Sequence, residues 1–155
     1  MSPLDPRVVV VWRIAGLLTV AILTAAVGAL DYWVTARFDL SLVAPSVATA
    51  MIAVLGGVLS LLWPPLRYRF WHWDVRPDRV LIQKGVIWRS RSVIPRVRVQ
   101  HVDTRSSPLQ RRFGLSSLII YTAGTRGADA EIPGLAAEEA EALREELAQV
   151  EELDE

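Results

Sequence analysis

Six arginines carry the most reactive potential in this chain. Arg89, Arg91, Arg96 and Arg98 recur along "WRSRSVIPRVRV", and Arg111 and Arg112 stand side by side in "SSPLQRRFG". A guanidinium is permanently charged and presents a planar fork of donors, so such a set suits carboxylates, phosphates and lipid headgroups. It does not suit nucleophilic attack or proton transfer near neutral pH. These six form the candidate interaction surface, weighed against the plainer reading that clustered charges are a solvated face.

Other chemistry is thinly supplied. His72 and His101 are the two histidines, and no HExxH or paired-ligand spacing accompanies them. His101 falls in an alternating run and reads as a packing or hydrogen-bonding residue. Ser116 and Ser117 lack a GxSxG elbow, and "GTRG" (Gly124–Gly127) reads as a hairpin turn without a phosphate-loop lysine. Asp74, Asp78 and Asp103 are too scattered to form a carboxylate pair. With no cysteine, disulfides and thiolate metal sites are excluded, which fits a reducing compartment. No catalytic residue, metal ligand or cofactor is expected, and the chain reads as non-enzymatic.

The elements that must position the arginines begin in a bilayer. Ile14–Leu30 and Leu42–Trp63 are uncharged runs of seventeen and twenty-two residues. As helices they reach about 26 and 33 Å, against a hydrocarbon core of about 30 Å. Spans over about residues 10–30 and 42–63 follow, with Arg13 snorkelling to the interface. A secretory signal is disfavoured by the weakly basic start and the length of the first run. Trp12, Tyr32, Trp33, Trp63, Tyr68 and Trp71 lie near the span ends, as aromatic belts would. Small residues four apart, Ala25/Ala29 and Ala53/Gly57, offer close helix approach.

The zero net charge of the 155 residues conceals a division. Met1–Trp63 is neutral; Pro64–Gly127 holds thirteen Lys or Arg against three Asp, a net of +10; Ala128–Glu155 holds eleven acids against Arg144, a net of −10. Arginines flank both spans while the Asp31–Ser41 connector has only Arg37, so the positive-inside rule predicts cytoplasmic termini in a two-span plasma-membrane protein.

After the second span the periodicity turns to strands. Arg67–His72 alternates, Pro77 opens a turn, and Gly85 supplies the positive φ of a hairpin before a strand over Val86–Ile94. "RVRVQHVDTR" and "LIIYT" read as further strands, and Ala130–Ile132 as a short one before Pro133-Gly134. In "SSPLQRRFG", Leu109 and Phe113 share a helical face expected to plug the sheet, Gly114 closes the turn, and Arg111 and Arg112 point outward. Ala136, Ala140, Leu143, Leu147 and Val150 mark one apolar face of a closing helix over Leu135–Leu153.

The order "KGVIWRSRSVIPRVRVQHVDTRSSPLQRRFGLSSLIIYTAG" followed by "IPGLAAEEAEALREEL" resembles the bacterial pleckstrin-homology (PH) domain of the YdbS-like membrane proteins. Gly85, Ile94-Pro95, Val99-Gln100-His101-Val102, Pro108-Leu109-Gln110 and Phe113-Gly114-Leu115 carry the likeness. It implies an α+β chain: a transmembrane helical hairpin over residues 1–65, then over 66–155 a PH-like β-sandwich or barrel capped by a C-terminal helix. The expected function is a membrane-anchored interaction module that binds or scaffolds a neighbouring membrane protein, or itself. The alternative is recognition of anionic lipid headgroups by the basic face. Nucleic acid fits poorly, because no reading helix or RNA-binding aromatic motif is visible.

The charge asymmetry makes one direct prediction. A tag placed after Glu155 should resist protease in intact spheroplasts and become cleavable once the membrane is opened; cleavage in intact spheroplasts would reverse the orientation.

Overall fold

Asp5-Pro6 begins the first helix in the computed structural model of the chain, which describes residues 1–38, 43–122 and 130–148. The Asp5 carboxylate accepts the Arg7 N–H at 2.8 Å, as an N-cap does, and proline next to it has no N–H to leave unpaired. Helix α1 runs Arg7–Phe38 and α2 runs Val43–Arg69. Both overrun the predicted spans, and either is long and apolar enough to cross a bilayer. The predicted start of the second span at Leu42 lies outside the described residues.

The chain divides into two units: Trp12–Pro65, and Met1–Val11 together with Leu66–Glu155. The first eleven residues thus go with the later part of the chain. It follows that α1 leaves this unit and α2 returns to it.

Within the Trp12–Pro65 unit the helix pair is tight where glycine allows it. A Cβ on Gly16 would lie 2.9 Å from Ser60 Oγ, and one on Gly56 would lie 2.8 Å from Val20 Cγ2. Gly57, half of a predicted small-residue pair, faces open space instead. Arg13 does more than snorkel. Pro65 has no N–H for the carbonyl of Leu61, four residues earlier, and Arg13 Nε donates to that carbonyl at 3.2 Å. At the other end Thr49 Oγ1 donates to the Asp31 carboxylate. Leu18, Ile22, Leu23, Val54 and Leu62 are exposed, an apolar surface suited to lipid.

The other unit holds two three-stranded antiparallel sheets, β1 (His72–Val75), β2 (Arg79–Lys84) and β3 (Ser90–Pro95), then β4 (Val99–Arg105), β5 (Leu115–Thr122) and β6 (Ala130–Ala136). A 3-10 turn over Arg96–Arg98 joins the sheets, and α3 (Pro108–Arg112) joins β4 to β5. The closing helix α4 (Ala137–Ala148) packs across the second sheet and buries Ala140, Leu143 and Leu147. Thr104 donates to Glu141 at 3.3 Å, so its face of the sheet lies under α4. Strand register adds Val102, Leu118, Ile120 and Ile132 to that face, all buried. Val150 of the predicted helix face, and the Gly124–Gly127 turn, fall outside the described residues.

Three local expectations are corrected. Arg67–Arg69 continue α2 rather than opening a strand: so short an alternation as Arg67–His72 fits either period, and Tyr68 is held in the helix by its hydroxyl's bond to the Leu4 carbonyl at 3.0 Å. Trp71 is buried in the domain rather than in an aromatic belt. Pro133-Gly134 lie inside β6 instead of ending it. An edge strand tolerates proline, and Gly134 at φ +64° accompanies an irregularity in register against β5.

The two sheets share a clasp. Ser2 and Trp73 exchange backbone hydrogen bonds of 2.7 and 3.0 Å on the outer edge of β1, and the Asp5 N–H donates to the Gly134 carbonyl of β6 at 3.0 Å. Residues 2–5 thereby connect the edge strands of both sheets. Leu4 and Val8, 2% and 0% exposed, fill the core behind them. Val8 sits so close to Gly134 that a Cβ there would come within 2.2 Å of it.

Leu4→Ala is therefore expected to destabilise the protein by about 2–5 kcal/mol, the usual cost of truncating a buried leucine. Leu18→Ala, at an exposed site on α1, should cost far less. Thermal unfolding of both variants as full chains in nanodiscs checks this; equal midpoints would mean that the first residues are not part of the core.

Candidate functional site

The six arginines occupy three places. Arg89 and Arg91 stand at one end of the first sheet. The last pairs of the β2–β3 hairpin are Gln83↔Arg91 and Lys84↔Ser90, so Gly85–Arg89 form its tip. The predicted strand over Val86–Ile94 begins only at Ser90, because the loop curls onto Gly85: at φ +114°, a Cβ there would lie 1.8 Å from the Trp88 carbonyl oxygen. His72 pairs with Gln83, so β1 enters at this same end, three residues after α2 stops at Arg69. Arg89 confirms the proximity, its guanidinium lying 5.7 Å from the centre of the Phe70 ring.

Arg96 and Arg98 lie past the opposite end of β3. At about 3.3 Å per residue, Arg96 is roughly 17 Å along the chain from Arg91. Arg96 is not free to bind a ligand: its side chain is 9% exposed and pairs with Glu146 of α4. The neighbouring β1–β2 turn is likewise neutralised, by Arg76–Asp74 and Arg79–Asp78 pairs at 2.9 Å each. Arg98 is exposed. The expected basic surface of six arginines is therefore not continuous: β3 ends at Pro95, as the sequence suggested, and the backbone turns there into the 3-10 segment.

Arg111 and Arg112 occupy the third place, on α3, and both point to solvent. Short helices need end contacts, and this one has a complete capping box. The Gln110 N–H donates to Ser107 Oγ at 3.2 Å, and the Ser107 N–H donates to Gln110 Oε1 at 2.9 Å. Gln110 Nε2 then donates to Ser117 Oγ at 3.1 Å, and Ser106 Oγ to Ser116 Oγ at 3.0 Å. Leu109 and Phe113 are half-buried rather than sealed in the core, so polar contacts share with them the task of fixing this turn. Gly114 takes φ +66°, as expected for its place after the helix.

Arg7 ties α3 to the start of α1. One arm of its guanidinium pairs with the Asp5 carboxylate at 2.8 Å, and the other donates to the Phe113 carbonyl at 3.2 Å. Arg7 holds the Asp5 carboxyl below its usual pKa, chiefly through the side-chain hydrogen bond, against an opposing effect of burial. The linked stabilisation is complete above the ordinary carboxylate pKa and is lost as pH falls through the lowered one.

Two groups of unpaired basic residues therefore flank the points where the chain departs for its spans. Lys84, Arg89 and Arg91 adjoin the end of α2; Arg111 and Arg112 adjoin the start of α1. None of these five forms an ion pair among the described residues. His101 stacks on Tyr121 with ring centres 4.1 Å apart and 16° between planes, a cross-strand packing role.

A family model described as "Bacterial PH domain" matches residues 8–151. The chain belongs to the bacterial PH domain family. It is also 30% identical to the UPF0699 transmembrane protein YdbS of Bacillus subtilis (strain 168), over 96% of this chain and 91% of that protein. No solved structure matches significantly. The chain is thus a YdbS-like membrane protein, with two apolar helices and a PH-like sandwich closed by a C-terminal helix. The clasp was missed in the sequence, although Asp5-Pro6 is a helix-start signal that places the helix well before the apolar run.

Ser107→Ala removes the cap of the PH domain's α3 and should cost about 0.5–2 kcal/mol. The double change Arg111→Glu with Arg112→Glu should stay within about 1 kcal/mol of the native chain, both side chains being exposed. Unfolding midpoints of the full chain in nanodiscs compare them; a larger loss from the arginine pair would make those residues structural.

Proposed function

We propose that this protein is a membrane-anchored, non-enzymatic interaction module whose PH-like domain works against the cytoplasmic face of its own membrane. Arg89, Arg91, Arg111 and Arg112, with Lys84, engage anionic lipid headgroups there. The observation that carries this reading is the contrast in charge pairing. Lys84, Arg89, Arg91, Arg111 and Arg112, beside the junctions, have no acidic partner among the described residues, whereas Arg76, Arg79 and Arg96, farther away, each have one; Arg98 is the exception at the far end, and Arg7 at the start of α1 is held by Asp5. Such residues held near an anionic surface contribute about 1 kcal/mol each. The excess of arginines flanking the spans supports the cytoplasmic orientation.

A second reading gives the domain a protein partner, a neighbouring membrane protein or another copy of the chain. It draws on Val93 and Val97, 51% and 82% exposed near Arg98. Exposed apolar side chains beside an arginine suit the apolar core of a protein contact and its polar rim.

Reconstitution into nanodiscs with and without anionic lipid separates the readings. Anionic lipid should raise the unfolding midpoint of the native chain, less so as salt increases, and Arg111→Glu with Arg112→Glu should diminish that rise. An identical lipid response in both chains removes these arginines from headgroup binding. Crosslinking at Val97 in native membranes then becomes the test of a protein partner.

A further inference from the structure

The tip of the β2–β3 hairpin exposes two large apolar side chains in succession. Ile87 is 74% and Trp88 88% exposed, Trp88 being the most exposed of the large apolar residues in the described chain. Both stand in a five-residue loop between the last strand pair, Lys84↔Ser90. The loop is shaped rather than slack: Gly85 has φ +114° and the chain folds back over it. Exposing an indole and an isoleucyl side chain to water is unfavourable, and a folded loop that presents both calls for something to cover them.

The surroundings select the cover. Lys84, Arg89 and Arg91 flank the two apolar residues, so the tip combines an apolar point with a cationic collar. That combination matches the interface of a bilayer, where an indole sits at headgroup depth and lysine or arginine reaches phosphates. A protein groove would gain nothing from a ring of three unpaired cations unless it were acidic. Register and contact put the tip at the correct end of the sheet. Phe70 directly follows α2, and its ring lies beneath the Arg89 guanidinium; His72, two residues on, pairs with Gln83 at the base of the tip.

We infer that Ile87 and Trp88 form a third membrane contact, a wedge set into the interface of the same bilayer that the two helices cross, with Lys84, Arg89 and Arg91 on the headgroups around it. The inference rests on the reading that these basic residues face lipid, and adds a part that does not depend on lipid charge. An apolar wedge enters zwitterionic and anionic interfaces alike, whereas the cationic collar gains only from the latter. The wedge would fix the edge of the first sheet against the membrane and so set the tilt of the domain.

The absence of cysteine makes the test direct, since a single introduced thiol carries the only label. The full chain bearing Ile87→Cys is labelled with a nitroxide and placed in nanodiscs of phosphatidylcholine alone or mixed with phosphatidylglycerol. Relaxation by oxygen, which concentrates in lipid, is compared with relaxation by a water-soluble nickel chelate; a label at Val97→Cys, in the 3-10 turn past the opposite end of β3, gives the aqueous reference. Expected at position 87 is preferential relaxation by oxygen in both lipids, with nickel dominant at position 97. Adding Trp88→Ser should shift the position-87 label toward the aqueous pattern without lowering the unfolding midpoint, because Trp88 packs against little. Nickel dominance at 87 in both lipids overturns the wedge, and leaves the headgroup reading standing if the Arg111→Glu, Arg112→Glu chain still loses its response to anionic lipid. Oxygen preference at 87 without that loss retains the wedge and removes Arg111 and Arg112 from headgroup binding. Shielding of the label from both reagents assigns the tip to a protein contact and overturns the wedge as well.

Discussion

The domain depends on a short piece of chain that comes before the first span. A three-stranded sheet has two edges, and the sandwich here leaves β1 and β6 each without a partner on one side. Residues 2–5 bond to both edges, and Leu4 and Val8 fill the space between them. Arg7, two residues beyond the Asp5 bond to β6, reaches the Phe113 carbonyl, and Val8 packs so close to Gly134 that a Cβ there would clash. The interaction combines backbone pairing with apolar burial, so polar groups are satisfied while the core is sealed.

Much of this architecture was legible in the sequence. The two apolar runs, the change from helical to alternating period, and the glycines at 85 and 114 needed only local rules, and all recur in the structure. The clasp was hidden because a strand of one residue pair has no periodicity, and Leu4 is a single apolar residue among polar ones. Its only local sign was the Asp5-Pro6 cap. Pro133-Gly134 misled for a related reason: a turn signal and an edge-strand irregularity use the same residues, and only the pairing partner distinguishes them.

The candidate surface was legible as composition and much less so as geometry. Arg89 and Arg98 are nine positions apart in one arginine-rich stretch, yet a proline and a helical turn put them at opposite ends of a strand. Arg96 looks identical to its neighbours in sequence but is spent on an ion pair with α4, fifty residues away. In the expected strand over Val86–Ile94, Ile87 and Trp88 would fall on opposite faces; in the hairpin tip both are exposed. What separates a structural arginine from an available one is the location of carboxylates distant in sequence, which no local pattern contains.

The closing segment is made first and completed last. Arg7 leaves the ribosome 106 residues ahead of Phe113, the carbonyl it holds in the finished protein, and β6 follows later still. Both helices must therefore be threaded before the sandwich can close. A hairpin inserted with only one helix across would leave the first residues and their strand partners on opposite sides of the bilayer, and the domain would stay open with its apolar core in water. Closure of the domain then requires the first residues and the strands they join to lie on the same side of the membrane.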